Sequence, residues 1–350
     1  MVPAVRRVLA LLAATMVPVL IQAGVCPLVA GARPAAVVGV AGGATRFTAG
    51  FELDTLARVQ NATALGVTTA IEYNGPPRPG SRLAKTLAAD HMTVIDARIS
   101  DELGEWECHR THTVAPPPPG EENWFCETDE DPGVDSPAVV LQAVRGWLRE
   151  DASDPLVSGY WVLDDWAAWD GGSARSLLAE VHEAIEEITP GRPAICGFGG
   201  SIEPIGQRGG FEAPIAANYS DAGCDMVGLY NYANGGSQMS SGEGLEWTMS
   251  ILLAEESEDL ANEGWVQAST PMLGIDQGWS GHFARREYEP GLSAEQMVAQ
   301  ARAFCTAGAS SIAWYGWGGV RNEAQTATNS PAIEAGIRQG IAACAELGAG

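Results

Sequence analysis

Eight short apolar segments recur along the chain, and stretches with helical periodicity separate most of them. The segments span residues 46–54, 66–75, 91–100, 157–166, 193–200, 224–233, 271–279 and 310–319. The helical stretches cover residues 83–90, 136–150, 173–188, 244–264, 293–308 and 330–347. Strands that alternate with helices indicate parallel βα units, and eight strands are the number that a closed barrel needs. The sequence therefore predicts a single α/β domain, a (β/α)8 TIM barrel.

One connection departs from this alternation. After the third predicted strand, residues 101–135 contain four consecutive prolines and an acidic run, a composition too polar for a buried element. Cys108 and Cys126 bracket this segment, and we expect them to form a disulfide that pins it as an insertion after strand 3. The alternative is a zinc site made of these two cysteines with His109 and His112. The spacing fits no standard closed zinc site, so we expect no metal there.

The N-terminus has the pattern of an export signal. Arg6 and Arg7 precede 25 residues without charge, 8–32, which end on a small-residue cleavage site. We predict a signal peptide at 1–32, a flexible tether at 33–44 and the barrel domain at 45–350. The alternative is an uncleaved membrane anchor, because a run of this length could span a bilayer.

Charge and cysteine content narrow the compartment and the partners. The chain has 20 basic and 44 acidic residues, and without the predicted signal it has 18 basic residues and a net charge of −26. Such a surface repels nucleic acid and anionic membranes. Six of the seven cysteines follow the signal, as expected for disulfides in an exported protein. Besides the pair in the insertion, Cys305 and Cys344 are expected to pair between two late helices.

The fourth segment, GYWVLDDW at 159–166, carries the strongest sign of function. Asp164 and Asp165 follow an apolar run, and two adjacent carboxylates are costly to bury without water, a cation or a substrate. In a barrel of this kind the carboxyl ends of the strands build the site. The candidate binding residues at these ends are Glu72, Asn74, Asp164, Trp166, Tyr230, Tyr232, Gln277, Trp279, Trp314 and Trp317.

Carboxylates among aromatic rings indicate a carbohydrate ligand. A sugar has polar edges and apolar C–H faces, so its site combines hydrogen-bonding groups with flat aromatic platforms. Five of the eleven tryptophans lie in the fourth, seventh and eighth segments, and Trp169 follows the fourth. Glycosidic hydrolysis needs one carboxylic acid and one carboxylate. We predict Asp165 as the general acid, because the Asp164 charge and Trp166 would raise its pKa, and Asp276 as the base or nucleophile.

Three segments resemble the large retaining clan of TIM-barrel glycoside hydrolases. Residues 157–166 are similar to its fourth strand, PMLGIDQGW at 271–279 to its seventh and SIAWYGW at 311–317 to its eighth. The resemblance implies a (β/α)8 fold, a carboxylate acid/base on strand 4, a carboxylate nucleophile on strand 7 and an aromatic floor on strand 8. Both positions where that clan has Glu are Asp here, Asp165 and Asp276. The shorter side chains would widen a retaining separation of about 5 Å toward the range of about 6.5 to 9.5 Å in inverting enzymes.

The sequence therefore predicts an exported glycoside hydrolase that acts on a glycan or oligosaccharide. The alternative is a non-catalytic carbohydrate-binding barrel that kept the groove and lost the glutamate pair. A third reading is a calcium or magnesium site at Asp164 and Asp165, which nothing in the spacing requires. No cofactor is expected, because neither a P-loop nor a dinucleotide-binding glycine motif follows a predicted strand.

Overall fold

The protein folds as a closed barrel of eight parallel strands. The computed structural model describes residues 46–111, 136–164, 174–199, 215–216, 218–232, 242–281, 292–317 and 323–348. The barrel strands are β1 (Thr48–Phe51), β2 (Thr69–Glu72), β3 (Thr93–Asp96), β4 (Val157–Leu163), β5 (Ala194–Gly199), β6 (Met226–Tyr230), β7 (Met272–Gln277) and β9 (Ser311–Tyr315). Each lies inside one of the eight predicted segments, so the predicted TIM barrel is confirmed. Two further strands, β8 (Trp279–Gly281) and β10 (Glu323–Thr326), form a separate antiparallel pair.

Eight helices surround the barrel in the part of the chain that the structure describes. They are α1 (Leu56–Leu65), α2 (Arg82–Ala89), α3 (Arg98–Thr111), α4 (Pro137–Asp151), α5 (Arg175–Ile188), α6 (Gly242–Asn262), α7 (Ala294–Thr306) and α8 (Pro331–Gly348). Six of them match the predicted helical stretches. Helix α7 begins with the capping box that its sequence indicates, in which Ser293 and Gln296 satisfy each other's backbone N–H groups.

Two helices were not predicted. Helix α1 carries Gln, Asn and Thr side chains that weaken its helical pattern, yet it buries Val59, Ala62 and Leu65. Helix α3 occupies the start of the segment that we expected to be a loop, so that part of the prediction is wrong. Its buried Ile99 and Leu103 explain the helix, because they form an apolar stripe with period four. Residues 112–135 of the predicted insertion, including Cys126, lie outside the described residues.

Apolar side chains fill both sides of the barrel wall and form two separate clusters. The inner cluster fills the lumen and includes Phe51, Trp161 and Tyr230. The outer cluster lies between the strands and the helices and is much larger. Glycines make room for large rings: a Cβ on Gly197 or Gly228 would lie within 2.6 Å of the Trp161 ring. A parallel barrel strand therefore buries side chains on both faces, and alternate residues enter alternate clusters.

Two disulfides occur among the described residues. Cys305 of α7 joins Cys344 of α8, which confirms the predicted pair. Cys196 on β5 joins Cys224, two residues before β6, a pairing that the sequence left undetermined. Both bonds connect elements that are already neighbours in the barrel.

No helix in the described part of the chain combines the length and the apolar character needed to cross a membrane. The predicted signal peptide and tether, with the alternative of an anchor, lie outside the described residues and stay predictions.

Candidate functional site

Among the described residues, tyrosines and the carboxylate of Asp164 line the carboxyl end of the lumen. Tyr73 follows β2, Asp164 follows β4, and Tyr315 ends β9. Tyr73 and Tyr315 pack against the inner cluster. Asp164 is only 3% exposed, so its carboxyl lies inside the protein and not on the outer surface.

Asp164 is held by a hydrogen bond from Tyr73. The phenol O–H donates to Oδ2 of Asp164 at 2.5 Å. Burial, and after it the negative charge of Asp164, raise the pKa of Tyr73 well above its usual value, so the phenol stays protonated. The pair therefore keeps a carboxylate in a fixed orientation at the mouth of the lumen.

Below this pair, aromatic rings form a continuous floor. Phe51 stacks on Tyr73 at 6.1 Å between ring centroids and meets Trp161 edge to face at 5.5 Å. Tyr315 contacts Phe51 at 5.3 Å and Tyr230 at 6.1 Å. Offset and edge-to-face contacts of this kind add to the energy of burial and leave each ring little freedom. These rings therefore fill the lumen next to the Asp164–Tyr73 pair.

Three more predicted residues extend this lining toward the outside. Tyr232 contacts Tyr230 at 6.0 Å and Trp279 at 6.3 Å. Gln277 pairs in register with Tyr315 and thus shares its face of the wall, and its side-chain amide donates to the carbonyl of Trp279 at 2.9 Å. The structure therefore brings Tyr230, Tyr232, Gln277 and Trp279 together with Asp164.

Asp276 points to the other side of the wall. Leu273 and Ile275, which flank Gly274 on β7, enter the inner cluster, so Gly274 and Asp276 face outward. A Cβ on Gly274 would lie 2.3 Å from the Phe304 ring of α7, which marks this face as the one that the helices cover. Asp276 also pairs in register with Trp314, which belongs to the outer cluster. Its carboxyl is thus directed away from the lumen.

Asp276 is also fully buried, and within the described residues neither of its oxygens has a hydrogen-bond partner. Burial raises the pKa of Asp276 well above its usual value and favours the neutral acid. This environment opposes the predicted role of base or nucleophile, which needs an ionised carboxylate that reaches the substrate.

Glu72 lies on the outer face as well. It follows Ile71 of the inner cluster and pairs in register with Asp96, which binds Arg98 through a 2.7 Å ion pair. Burial, and after it the charge of Asp54, raise the pKa of Glu72 to about 8. Asn74, next to Tyr73, is exposed beyond the strand end. Neither residue takes part in the aromatic lining that the described residues form.

Trp314 and Trp317 belong to the wall of the barrel. Both are at most 1% exposed and lie in the outer cluster. The Trp317 indole N–H donates to Oδ1 of Asn61 on α1 at 3.0 Å, and a Cβ on Gly50 would lie 2.7 Å from its ring. These two rings pack helices onto strands, in contrast to the predicted contact with a sugar. Asp165 and Trp166 lie outside the described residues.

The lining residues absent from the predicted set are Phe51, Tyr73, Trp161 and Tyr315. On strands β2 and β9 the predicted residue is the chain neighbour of the one on the lumen face, Glu72 for Tyr73 and Trp314 for Tyr315, whereas on β7 both Asp276 and its lumen-facing neighbour Gln277 were predicted. Glycines within the strands could have indicated which residues face the lumen. Gly197 and Gly228, for example, leave room for the Trp161 ring on that face.

Known structures share this fold. A β-galactosidase from the psychrophilic Marinomonas ef1 matches 85% of this chain and 59% of its own, with a TM-score of 0.52 and 9% identity. A Lactobacillus rhamnosus β-glucuronidase matches 84% of this chain and 49% of its own, with a TM-score of 0.51 and 11% identity. The protein shares the TIM-barrel fold of these two enzymes. The chain spans about half to three fifths of these structures, and their likeness at this identity establishes the fold alone. No protein-family model and no curated protein matches the sequence.

Proposed function

We propose that this protein is an exported glycoside hydrolase whose substrate site is the carboxyl-terminal mouth of the barrel lumen. The observation that carries the proposal is the Asp164–Tyr73 pair above a floor of aromatic rings. A carboxylate supplies hydrogen bonds to sugar hydroxyls, and the rings supply apolar faces for its C–H groups. The two disulfides support export, because such bonds persist in oxidising compartments.

In the proposed reaction the carboxylates come from the end of β4. Asp165 acts as general acid and gives its proton to the glycosidic oxygen as the bond to the anomeric carbon breaks. Asp164, oriented by the Tyr73 hydroxyl, acts as a carboxylate that stabilises the positive charge developing on the sugar ring. Water then adds to the anomeric carbon and returns a proton to the carboxylate pair. Asp276 has no part in this scheme, because its carboxyl lies in the outer layer.

Sugar contacts in this proposal come from the inner lining. Tyr232 and Tyr315 offer ring faces and edges near the mouth. Trp279 and Gln277 are almost fully buried and support this lining from behind. Trp166, the residue after Asp165, is proposed as a further platform. A neutral or acidic oligosaccharide could use these groups, and the ligand class proposed is carbohydrate in general.

A second candidate function is a carbohydrate-binding barrel without turnover. One observation favours it: the lumen-facing residue of β7 is Gln277, and an amide cannot serve as nucleophile or base. Such a protein would keep the aromatic floor and the Asp164–Tyr73 pair for binding.

A screen of the full chain against a polysaccharide panel separates the two candidates. Hydrolysis is followed by the release of reducing ends, and binding is followed by calorimetry on the same glycans. The proposed hydrolase should cleave at least one glycan, and Asp165→Asn should slow it about a hundredfold, the usual scale for removing a general acid. Binding of a glycan without cleavage would support the second candidate, and neither binding nor cleavage would contradict both.

A further inference from the structure

A histidine and two acids meet at the opposite end of the barrel. Asp225 lies directly before β6, at the amino-terminal end of the strands, and His182 and Glu186 lie one turn apart on α5. Their ligand atoms, one from each residue, all lie within 4.8 Å of one another. We infer that these three residues form a binding site for one divalent cation of the Zn²⁺ type.

The spacing suits a tetrahedral ion. Nε2 of His182 lies 3.1 Å from both carboxylate oxygens of Asp225. Ligands at about 2.0 to 2.1 Å from a tetrahedral zinc lie about 3.3 Å from each other. His182 and Asp225 therefore already have the separation that two zinc ligands need. Glu186 lies one turn further along α5, and its ligand oxygen is within 4.8 Å of the other two, so a rotation of this exposed side chain brings it to the same ion.

Asp225 is oriented by the backbone. The N–H of Ala194, the first residue of β5, donates to Oδ2 of Asp225 at 2.8 Å. A hydrogen bond that fixes a ligating carboxylate is the usual support of a metal site. The arrangement needs little movement of strand or helix when an ion enters, because α5 and β6 already hold all three side chains.

The donor set selects the ion. One imidazole nitrogen with carboxylate oxygens suits zinc and neighbouring transition metals. Calcium and magnesium prefer sites made of oxygen alone and in larger number. Solvent can supply the remaining position, since His182 is partly exposed and Glu186 is exposed.

A plain ion pair between His182 and Asp225 is the competing explanation. The hydrogen bond to Asp225 raises the pKa of His182, and the charges of Asp225, Glu186 and Glu183 act in the same direction. Binding of the ion then requires the Nε2 proton to leave to solvent, while Nδ1 keeps its proton. The affinity should therefore fall as the pH drops below the pKa of His182. The ion pair needs only two of the three residues, so Glu186 distinguishes the explanations.

Zinc titration of the full chain after treatment with a chelator tests the site. Calorimetry should give one ion per chain, and the Tm should rise by a few degrees in excess zinc, because the ion binds only the folded state. His182→Ala should weaken zinc binding at least about a hundredfold and Glu186→Gln about tenfold, on the scale of lost metal-site contacts. Glu180→Gln, an exposed acid on the same helix, is the matched control and should bind as the unmodified chain does.

Three results would overturn the inference. The unmodified chain could bind no zinc. His182→Ala could bind with unchanged affinity, which would assign the ion to another place such as the insertion with His109 and His112. Glu186→Gln could bind as tightly as Glu180→Gln, which would leave His182 and Asp225 as an ordinary ion pair. Glu186 is exposed, so its variant should fold and give a clear answer.

Discussion

The two faces of the barrel wall differ in how they hold acidic groups at the carboxyl ends of the strands. On the lumen face, Asp164 accepts a hydrogen bond from Tyr73 among aromatic rings. On the outer face, Asp276 lies under the helices, and no hydrogen bond reaches its oxygens from any described residue. The phenol of Tyr73 orients the carboxyl of Asp164, whereas burial raises the pKa of Asp276 and stabilises its neutral form. An acid at a strand end can therefore reach a ligand in the lumen only if it lies on the lumen face of the wall.

The largest expected effect separates two neighbours in the chain, Trp314 on the outer face and Tyr315 on the lumen face. Trp314→Ala removes a fully buried ring and should lower the free energy of unfolding by about 3–5 kcal/mol. Tyr315→Ala removes a partly exposed ring, so it should cost less stability and weaken glycan binding more. Denaturant unfolding and calorimetry measure the two effects. If both variants lost the same stability and both bound the glycan as the unmodified chain does, the proposed difference between the two faces would be wrong.

A pH experiment sharpens the description of the outer face. The pKa of Glu72 rises to about 8 in the folded protein, from 4.5. The folded state therefore favours the protonated form of Glu72. The resulting contribution to the free energy of unfolding is complete below about pH 4.5 and is lost as the pH rises through 8. The unmodified chain should thus lose up to about 4 kcal/mol of unfolding free energy between pH 4 and pH 8 through this group. Glu72→Gln should not show that loss.

Urea unfolding across that pH range gives the comparison. Glu180→Gln, an exposed acid on α5, serves as the control and should keep the slope of the unmodified chain. A Glu72→Gln variant with the same pH slope as this control would show that Glu72 ionises freely in the folded state.

A smaller effect is expected at the hydrogen bond of the lumen face. Tyr73→Phe keeps the ring that stacks on Phe51 and removes only the hydroxyl that orients Asp164. Loss of one hydrogen bond to a charged group costs about 1.5–3 kcal/mol, so kcat should fall about tenfold or more while KM changes little. A changed KM with the same kcat would assign Tyr73 to sugar binding instead.

The sequence predicted the barrel well and the orientation of its side chains poorly. Each barrel strand is an apolar run bounded by polar residues, and such runs are visible without a structure. A parallel strand buries both faces, however, so its pattern does not alternate and does not show which residues face the lumen. Glu72 and Tyr73 differ by one position and lie on opposite sides, and the same holds for Asp276 and Gln277.

Of the two disulfides among the described residues, the sequence predicted one and left the other undetermined. Cys305 and Cys344 lie on two helices that are adjacent in the chain, so their contact could be predicted. Cys196 and Cys224 meet because β5 and β6 are neighbours in the barrel, and a search by spacing alone offers many equivalent partners. Helix α1 escaped prediction for a related reason, since tertiary packing stabilises it more than its own pattern does.

The most direct test of the account measures cleavage of a responsive glycan by Asp164→Asn and Asp276→Asn side by side. Both changes replace an acid by its amide at a strand end, one on the lumen face and one on the outer face. We expect Asp164→Asn to lower kcat about a hundredfold and Asp276→Asn to leave kcat within about threefold of the unmodified chain. A hundredfold loss in Asp276→Asn with full activity in Asp164→Asn would contradict the account.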